Sequence, residues 1–149
     1  MAIGIATVLG AGYSPVAPGT AGSAVALVLL SLVPFSRAGL IFFFLVVTVV
    51  GTWAAHVAEA ALAEKDPGAI VVDEVAGMTL SLVAVPLPFT LPTLLVAFVL
   101  FRIFDVVKPF PAGRAQGLAG GLGVMMDDLI AGLYALIALL ALHAMAGWP

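Results

Sequence analysis

Between Phe101 and Gly132 the chain reads FRIFDVVKPFPAGRAQGLAGGLGVMMDDLIAG. This stretch holds three of the five basic residues and three of the eight acidic ones in a chain that is only 9% charged. Arg102, Asp105 and Lys108 follow at intervals of three, which on a helix aligns them on one face. Pro109 biases Lys108 out of that helix toward an extended backbone. A Pro- and Gly-rich turn comes next, and Asp127-Asp128 opens the following apolar segment, much as Asp73-Glu74 opens an earlier one. The positive end of a helix macrodipole favours acids in a first turn, so capping accounts for either pair alone. Both pairs together with Asp105, in so apolar a chain, are costly unless something binds them. The chemistry that fits is a divalent cation with a phosphorylated ligand.

The donor set narrows the cation. There is no cysteine and histidine is scarce, so oxygen ligands from Asp73, Glu74, Asp127 and Asp128 select hard ions, Mg2+ before Mn2+, and zinc is set aside. Arg102 and Lys108 would hold phosphate oxygens, while Asp105 acts on phosphorus or on water. The bland alternative for Arg102 and Asp105 is a snorkelling ion pair at the membrane interface. Gly19 and Thr20 would present N–H groups to phosphate at a helix N-terminus. Gly120, Gly121 and Gly123 would let backbone approach the ligand, unless they serve helix packing, as Gly77 and Gly132 also could. His56 is a candidate base inside a long helix, where a lone histidine is more often a hydrogen-bonded packing residue. His143 reads as structural, and Asp66 as a secondary acid in the loop EKDPG.

The elements that must position these groups are membrane helices. The chain has 149 residues, is 64% hydrophobic and has a mean hydropathy of +1.28, whereas soluble domains carry roughly 25% charged residues. At roughly 20 residues per span the length allows one embedded domain, residues 1–149, of four or five helices. Met1 to Tyr13 is too short to cross and reads as interfacial or re-entrant. Apolar segments follow at Thr20–Val33, with Thr20 or Ser23 as its cap, then Gly39–Leu62, Ile70–Val85, Leu91–Val107 and Met126–Ala146. Trp148 suits an interfacial belt, and Trp53 with Phe42 to Phe44 a lipid-facing or packing surface. The fold class is therefore an all-α integral membrane bundle of about five membrane helices.

Counting crossings brings Thr20, Asp66, Asp73, Glu74, Arg102, Asp105, Lys108, Asp127 and Asp128 to one membrane face, although they come from distant parts of the chain. Lys65, Arg102, Lys108 and Arg114 lie on that side against Arg37 alone opposite, which makes it cytoplasmic. No basic stripe exists for nucleic acid, and the start lacks the charged n-region of a signal peptide. Oligomeric state is not legible.

Four segments, SPVAPGTAGS, DPGAIVVDEVAGM, FRIFDVVKPFP and GGLGVMMDDLIAG, taken in this order, resemble the phosphatidylglycerophosphatase A family. The resemblance covers most of the chain from about Leu9. It implies a bacterial inner-membrane, Mg2+-dependent phosphatase that converts phosphatidylglycerophosphate to phosphatidylglycerol and phosphate. It carries over Asp73, Glu74, Asp105, Asp127 and Asp128, with Lys108 and Arg102 as phosphate partners; the choice of Asp105, Lys108 and Asp128 as catalytic candidates is our own expectation and is not part of the resemblance. Two rivals remain. A CDP-alcohol phosphotransferase also gathers aspartates and Mg2+, but its D-G-x-x-A-R opening is absent. An ion- or proton-coupled transporter would spread its carboxylates through the depth of the bilayer.

Overall fold

The computed structural model describes residues 1–146, and the expected interfacial role of Trp148 falls outside them. Among the described residues every regular element is helical: α1 (Ala2–Ala6), a 3-10 turn (Ala11–Tyr13), α2 (Pro18–Leu32), α3 (Arg37–Leu62), α4 (Val72–Leu80), α5 (Leu91–Val107), α6 (Ala112–Ala115) and α7 (Gly121–Ala146). Helices α3 and α7 are long and apolar enough to cross a membrane. Each has 26 residues, about 39 Å at the α-helical rise. The outer face of α3 leaves Phe42, Leu45, Val49 and Trp53 exposed, an apolar surface that water would not tolerate at this extent.

Local chemistry sets the helix starts. Ser36 caps α3 by accepting the Gly39 N–H at 3.1 Å, and Thr90 caps α5 by accepting that of Thr93 at 3.3 Å. Helix α2 begins two residues before the expected Thr20, because Pro18 already has the backbone angle of a first helical position. Neither Thr20 nor Ser23 caps it: the N-cap is Ala17, and Ser23 donates back to the Gly19 carbonyl at 2.8 Å.

Two segments depart further from the sequence pattern. The apolar run Ile70–Val85 is helical only over Val72–Leu80, nine residues or about 14 Å, roughly half a hydrocarbon core. This short α4 is buried from Val72 through Thr79 and packs against α2, α3, α5 and α7. The turns that end it leave carbonyls without helical partners, a serious cost away from water. Arg37, at the start of α3, meets that cost by donating to the Val83 and Val85 carbonyls. The second departure is α7, which starts at Gly121 and not at Met126. Asp127 and Asp128 therefore lie at the end of its second turn, and capping cannot explain them. Glycine normally costs a helix about 1 kcal/mol, but Gly121 sits where a Cβ would strike the Thr52 carbonyl of α3, so packing between the two helices decides the start.

The N-terminal segment does not span. Ala6 is fully buried and its carbonyl accepts the Val71 N–H at 2.9 Å, and Gly12 leaves no room for a side chain against Ala69. The segment braces the stretch that leads into α4. Beneath it Ala54, Ala55, Ala58, Val72, Val124 and Met125 form one core cluster. Met78, Leu82, Leu94, Phe101, Ala131 and Leu139 belong to a larger one toward the opposite end.

Candidate active site

Asp73 and Glu74 occupy the first turn of α4, where the helix dipole favours them. Asp128 reaches them from α7 because the two helices cross in close contact. A Cβ on Gly77 would lie 2.6 Å from the Asp128 carbonyl oxygen, and one on Gly132 would lie 3.0 Å from the Gly77 Cα. These glycines are thus packing residues, and what their packing achieves is a trio of carboxylates. Oxygens of Asp73, Glu74 and Asp128 lie within 4.8 Å of one another, all from buried residues. Among the described residues, Glu74 Oε2, Asp128 Oδ2 and Asp127 Oδ1 have no hydrogen-bond partner. Buried like charges this close, with orphaned oxygens, suit a divalent cation bound by oxygen ligands.

Two cations flank the trio. Arg102 Nη1 lies 2.6 Å from Asp105 Oδ2 and 3.8 Å from Glu74 Oε1, and donates to Ser23 Oγ at 3.4 Å. Gly19 gives this guanidinium its space, since a Cβ there would collide with Glu74 and stand 3.0 Å from Arg102 Nη1. Lys108 ends α5 in the left-handed region at φ 47°, not extended as Pro109 alone would dictate, and its ammonium pairs with Asp127. Burial pulls the Lys108 ammonium down, but the hydrogen bond to Asp127 and the charges of Asp127, Asp105 and Asp128 outweigh it and hold its pKa above the ordinary lysine value. Asp127 thus faces Lys108 and lies outside the trio that Asp128 joins.

Asp73, Glu74, Arg102, Asp105, Lys108, Asp127 and Asp128 line a cavity of about 270 Å³, together with Ala17, Gly19 and Asp66. Ala17, Asp66 and Lys108 all have positive φ, between 47° and 50°. Such strain costs on the order of 1–3 kcal/mol per residue and collects at functional sites. Asp66 accepts a hydrogen bond from Gln116, and its own N–H donates to Glu59 Oε1 at 3.1 Å, which ties the loop after α3 to the turn after α6.

Some expectations are corrected. Thr20 is exposed and does not line the cavity, because starting α2 at Pro18 turns it outward. His56 is also exposed and lines a separate hollow with Glu59, Glu64 and Gly120. Gly120 and Gly121 close on His56 and Thr52, so they admit a neighbouring helix and not a ligand. Sequence reasoning missed Ser23 as a partner of Arg102 and Gln116 as a partner of Asp66. Neither carries a charge that would have marked it.

Acids for a cation and bases for phosphate, gathered at one end of an apolar helical bundle, define a phosphatase-type site. The comparisons agree. A family model described as Phosphatidylglycerophosphatase A matches residues 4–143. A protein of Bacteroides thetaiotaomicron, provisionally named a phosphatidylinositol-3-phosphatase, is 42% identical over 97% of this chain and 92% of its own. The phosphatidylglycerophosphatases A of Haemophilus influenzae and Escherichia coli are 34% and 33% identical, over 93% and 87% of this chain and 86% and 76% of theirs. No solved structure matches. The chain belongs to the phosphatidylglycerophosphatase A family, and it is a phosphatase.

Proposed function

We propose that the chain hydrolyses the terminal phosphomonoester of phosphatidylglycerophosphate to phosphatidylglycerol and inorganic phosphate, with Mg2+ as cofactor. The observation that carries this reading is the buried trio of Asp73, Glu74 and Asp128, with its orphaned oxygens, beside Arg102 and Lys108. The trio would hold the ion, and Asp127 extends it toward Lys108. When bound, Mg2+ supplies positive charge to the phosphomonoester and to the departing oxygen.

The remaining chemistry belongs to the chain. Lys108 has three donors and one carboxylate partner, which leaves N–H groups for phosphate oxygens. Arg102 engages Asp105, Glu74 and Ser23 through one nitrogen, so its other donors serve the same end and stabilise charge as it grows in the transition state. Asp105, oriented by Arg102, is the acid left for the reaction. It attacks phosphorus directly or takes the proton of a water that does so. The stereochemical course at a chiral phosphorus separates the routes: retention marks two displacements through a covalent aspartyl-phosphate on Asp105, which water then cleaves at phosphorus, and inversion marks a single direct attack by water.

The bundle is read as a multi-pass protein of the bacterial inner membrane with this site toward the cytoplasm. In support, the eight acidic residues gather at the end formed by the C-termini of α3 and α5 and the N-termini of α4 and α7. Lys65, Arg102, Lys108 and Arg114 lie at that end, and Arg37 lies at the other. An ion-coupled transporter would need carboxylates along its depth, so this distribution counts against it.

The test is phosphate release from purified protein given phosphatidylglycerophosphate. Release that stops with chelator and returns with Mg2+ is expected. Full activity in chelator overturns the metal, and absence of release overturns the substrate. The Bacteroides relative supports a second reading, phosphatidylinositol 3-phosphate as substrate, and kcat/KM measured for both lipids decides between them.

A further inference from the structure

Each of the chain's five cations has a place. Arg37 is spent on backbone carbonyls at the far end. Arg102 and Lys108 are committed to the carboxylates of the cavity. Lys65 lies in an open polar hollow beside Asp66 and Gln116. Arg114 differs from all of them. Among the described residues it pairs with no carboxylate, and its guanidinium carbon sits 5.1 Å above the centre of the Phe110 ring.

Phe110 is 71% exposed, yet its backbone is tied to α7. The Phe110 carbonyl accepts the Tyr134 hydroxyl of α7 at 2.7 Å. The Tyr134 ring packs on Phe104 of α5, with centroids 5.5 Å apart. Val106 and Val107 beside it are also exposed. The result is an apolar shelf of residues that flank Lys108 of the cavity in sequence, next to a hollow that Gly113 and the cavity residue Asp66 both line, and Arg114 is held over its aromatic face by a cation–π contact. A lipid lying against this shelf would bring its interfacial phosphate to that guanidinium.

The proposed substrate carries two anions, a terminal phosphomonoester and the phosphodiester that joins the headgroup to the diacylglycerol. The cavity provides for the first. We infer that Arg114, seated on Phe110, binds the phosphodiester; this rests on the lipid-phosphatase reading above. The planar guanidinium fork matches two non-bridging phosphodiester oxygens, and partial desolvation at the interface strengthens the contact. Phosphatidylinositol 3-phosphate has the same phosphodiester, so the subsite serves either headgroup. It separates phosphorylated lipids from soluble phosphomonoesters, which lack that group.

The two products divide the substrate between the two sites. Phosphatidylglycerol keeps the phosphodiester, and inorganic phosphate keeps the group that fits the cavity. In micelles of an uncharged detergent, R114Q is expected to raise KM for phosphatidylglycerophosphate and the inhibition constant of phosphatidylglycerol together, by about tenfold, the loss of one charge-assisted contact. The inhibition constant of inorganic phosphate and kcat stay at wild-type values, and R114K recovers part of the loss. Unchanged constants in R114Q, with an active wild type, overturn the subsite alone. So does a loss spread evenly over kcat and both products, which marks a structural role. A defect that shows only when bulk anionic lipid is added marks general membrane anchoring and also overturns it. A wild-type chain inert toward the lipid overturns the substrate assignment and the subsite with it.

Discussion

Replacing Gly77 by alanine tests whether the crossing of α4 and α7 builds the carboxylate trio. The added methyl would stand 2.5 Å from Phe101 Cε2 and 2.6 Å from the Asp128 carbonyl oxygen, where ordinary contact begins at 3.4 Å. Phe101 is fully buried in the core and has little room to turn. The carbonyl is α7 backbone, so the helices must part by about 0.8 Å. Overpacking of this kind costs about 1–3 kcal/mol. The larger effect is on geometry, because the same displacement draws Asp128 away from Asp73 and Glu74. Misplacement near 1 Å costs on the order of a hundredfold in rate. Thermal unfolding and phosphate release measured on one preparation should therefore show a modest fall in Tm and a fall in kcat of about two orders of magnitude. L82A is the control: it empties a fully buried position in the same core cluster as Phe101 but beyond the C-terminal end of α4, and costs about 2–5 kcal/mol. It should lose more stability than G77A and far less activity per folded molecule. G77A with activity that merely tracks its folded fraction, as in L82A, would refute the reasoning.

Other perturbations follow from the same contacts. R37M leaves the Val83 and Val85 carbonyls without a donor and should cost about 2–6 kcal/mol at about 1–3 per buried unsatisfied group, read as a lower midpoint of unfolding with kcat of the folded fraction retained. K108M strands the Asp127 carboxylate, and because Lys108 is partly exposed the cost is about 2–3 kcal/mol, below that of a fully buried pair. K108M/D127N should recover the stability and not the activity. The folded pKa of Lys108 is raised, so the stability it contributes is complete below its ordinary value near 10.5 and is lost only as pH rises through the higher folded value. The gap between wild type and K108M should therefore be flat near neutrality and close in strong alkali, where the neutral Lys108 no longer pairs with Asp127. E74Q relieves repulsion in the trio and removes a ligand. It should raise the Tm of metal-free protein and abolish the further rise that Mg2+ gives the wild type; an undiminished Mg2+ response in E74Q would argue against Glu74 as a ligand.

The residues that line the cavity were legible because charge is rare in this chain. Asp73, Glu74, Arg102, Asp105, Lys108, Asp127 and Asp128 stand out from an apolar background, and the alternation of segments brings them to one end. Helix α5 was legible to the residue because Thr90, Pro92 and Pro109 punctuate it. The end of α4 was not, since the apolar run continues to Val85 and what stops it is a guanidinium 46 and 48 residues away in sequence. The start of α7 was hidden by glycines that read as loop and are in fact its contact with α3. Nor could sequence tell which of Asp127 and Asp128 joins the trio. Neighbours on a helix point about 100° apart, and the rotation of α7 is set by where Gly132 meets Gly77.

The half-length of α4 follows from what it must hold. Two adjacent carboxylates buried in an apolar bundle need a source of positive potential, and a helix N-terminus provides one within its first turn. A full-length helix would carry that terminus to the membrane surface, where water competes for both the acids and any bound ion. A helix of half the length starts at the depth reached by the second turn of α7, so Asp73 and Glu74 meet Asp128 inside the protein. The cost appears at the other end, where the turns after Leu80 leave the Val83 and Val85 carbonyls without helical partners. Arg37 bears that cost by capping Val83 and Val85. The one arginine that counts against a cytoplasmic location for the site's end of the bundle is thus also what allows that site to be buried. On this argument a longer α4, made by replacing the turn after Leu80 with helix-forming residues, should release Arg37 and lose the site together.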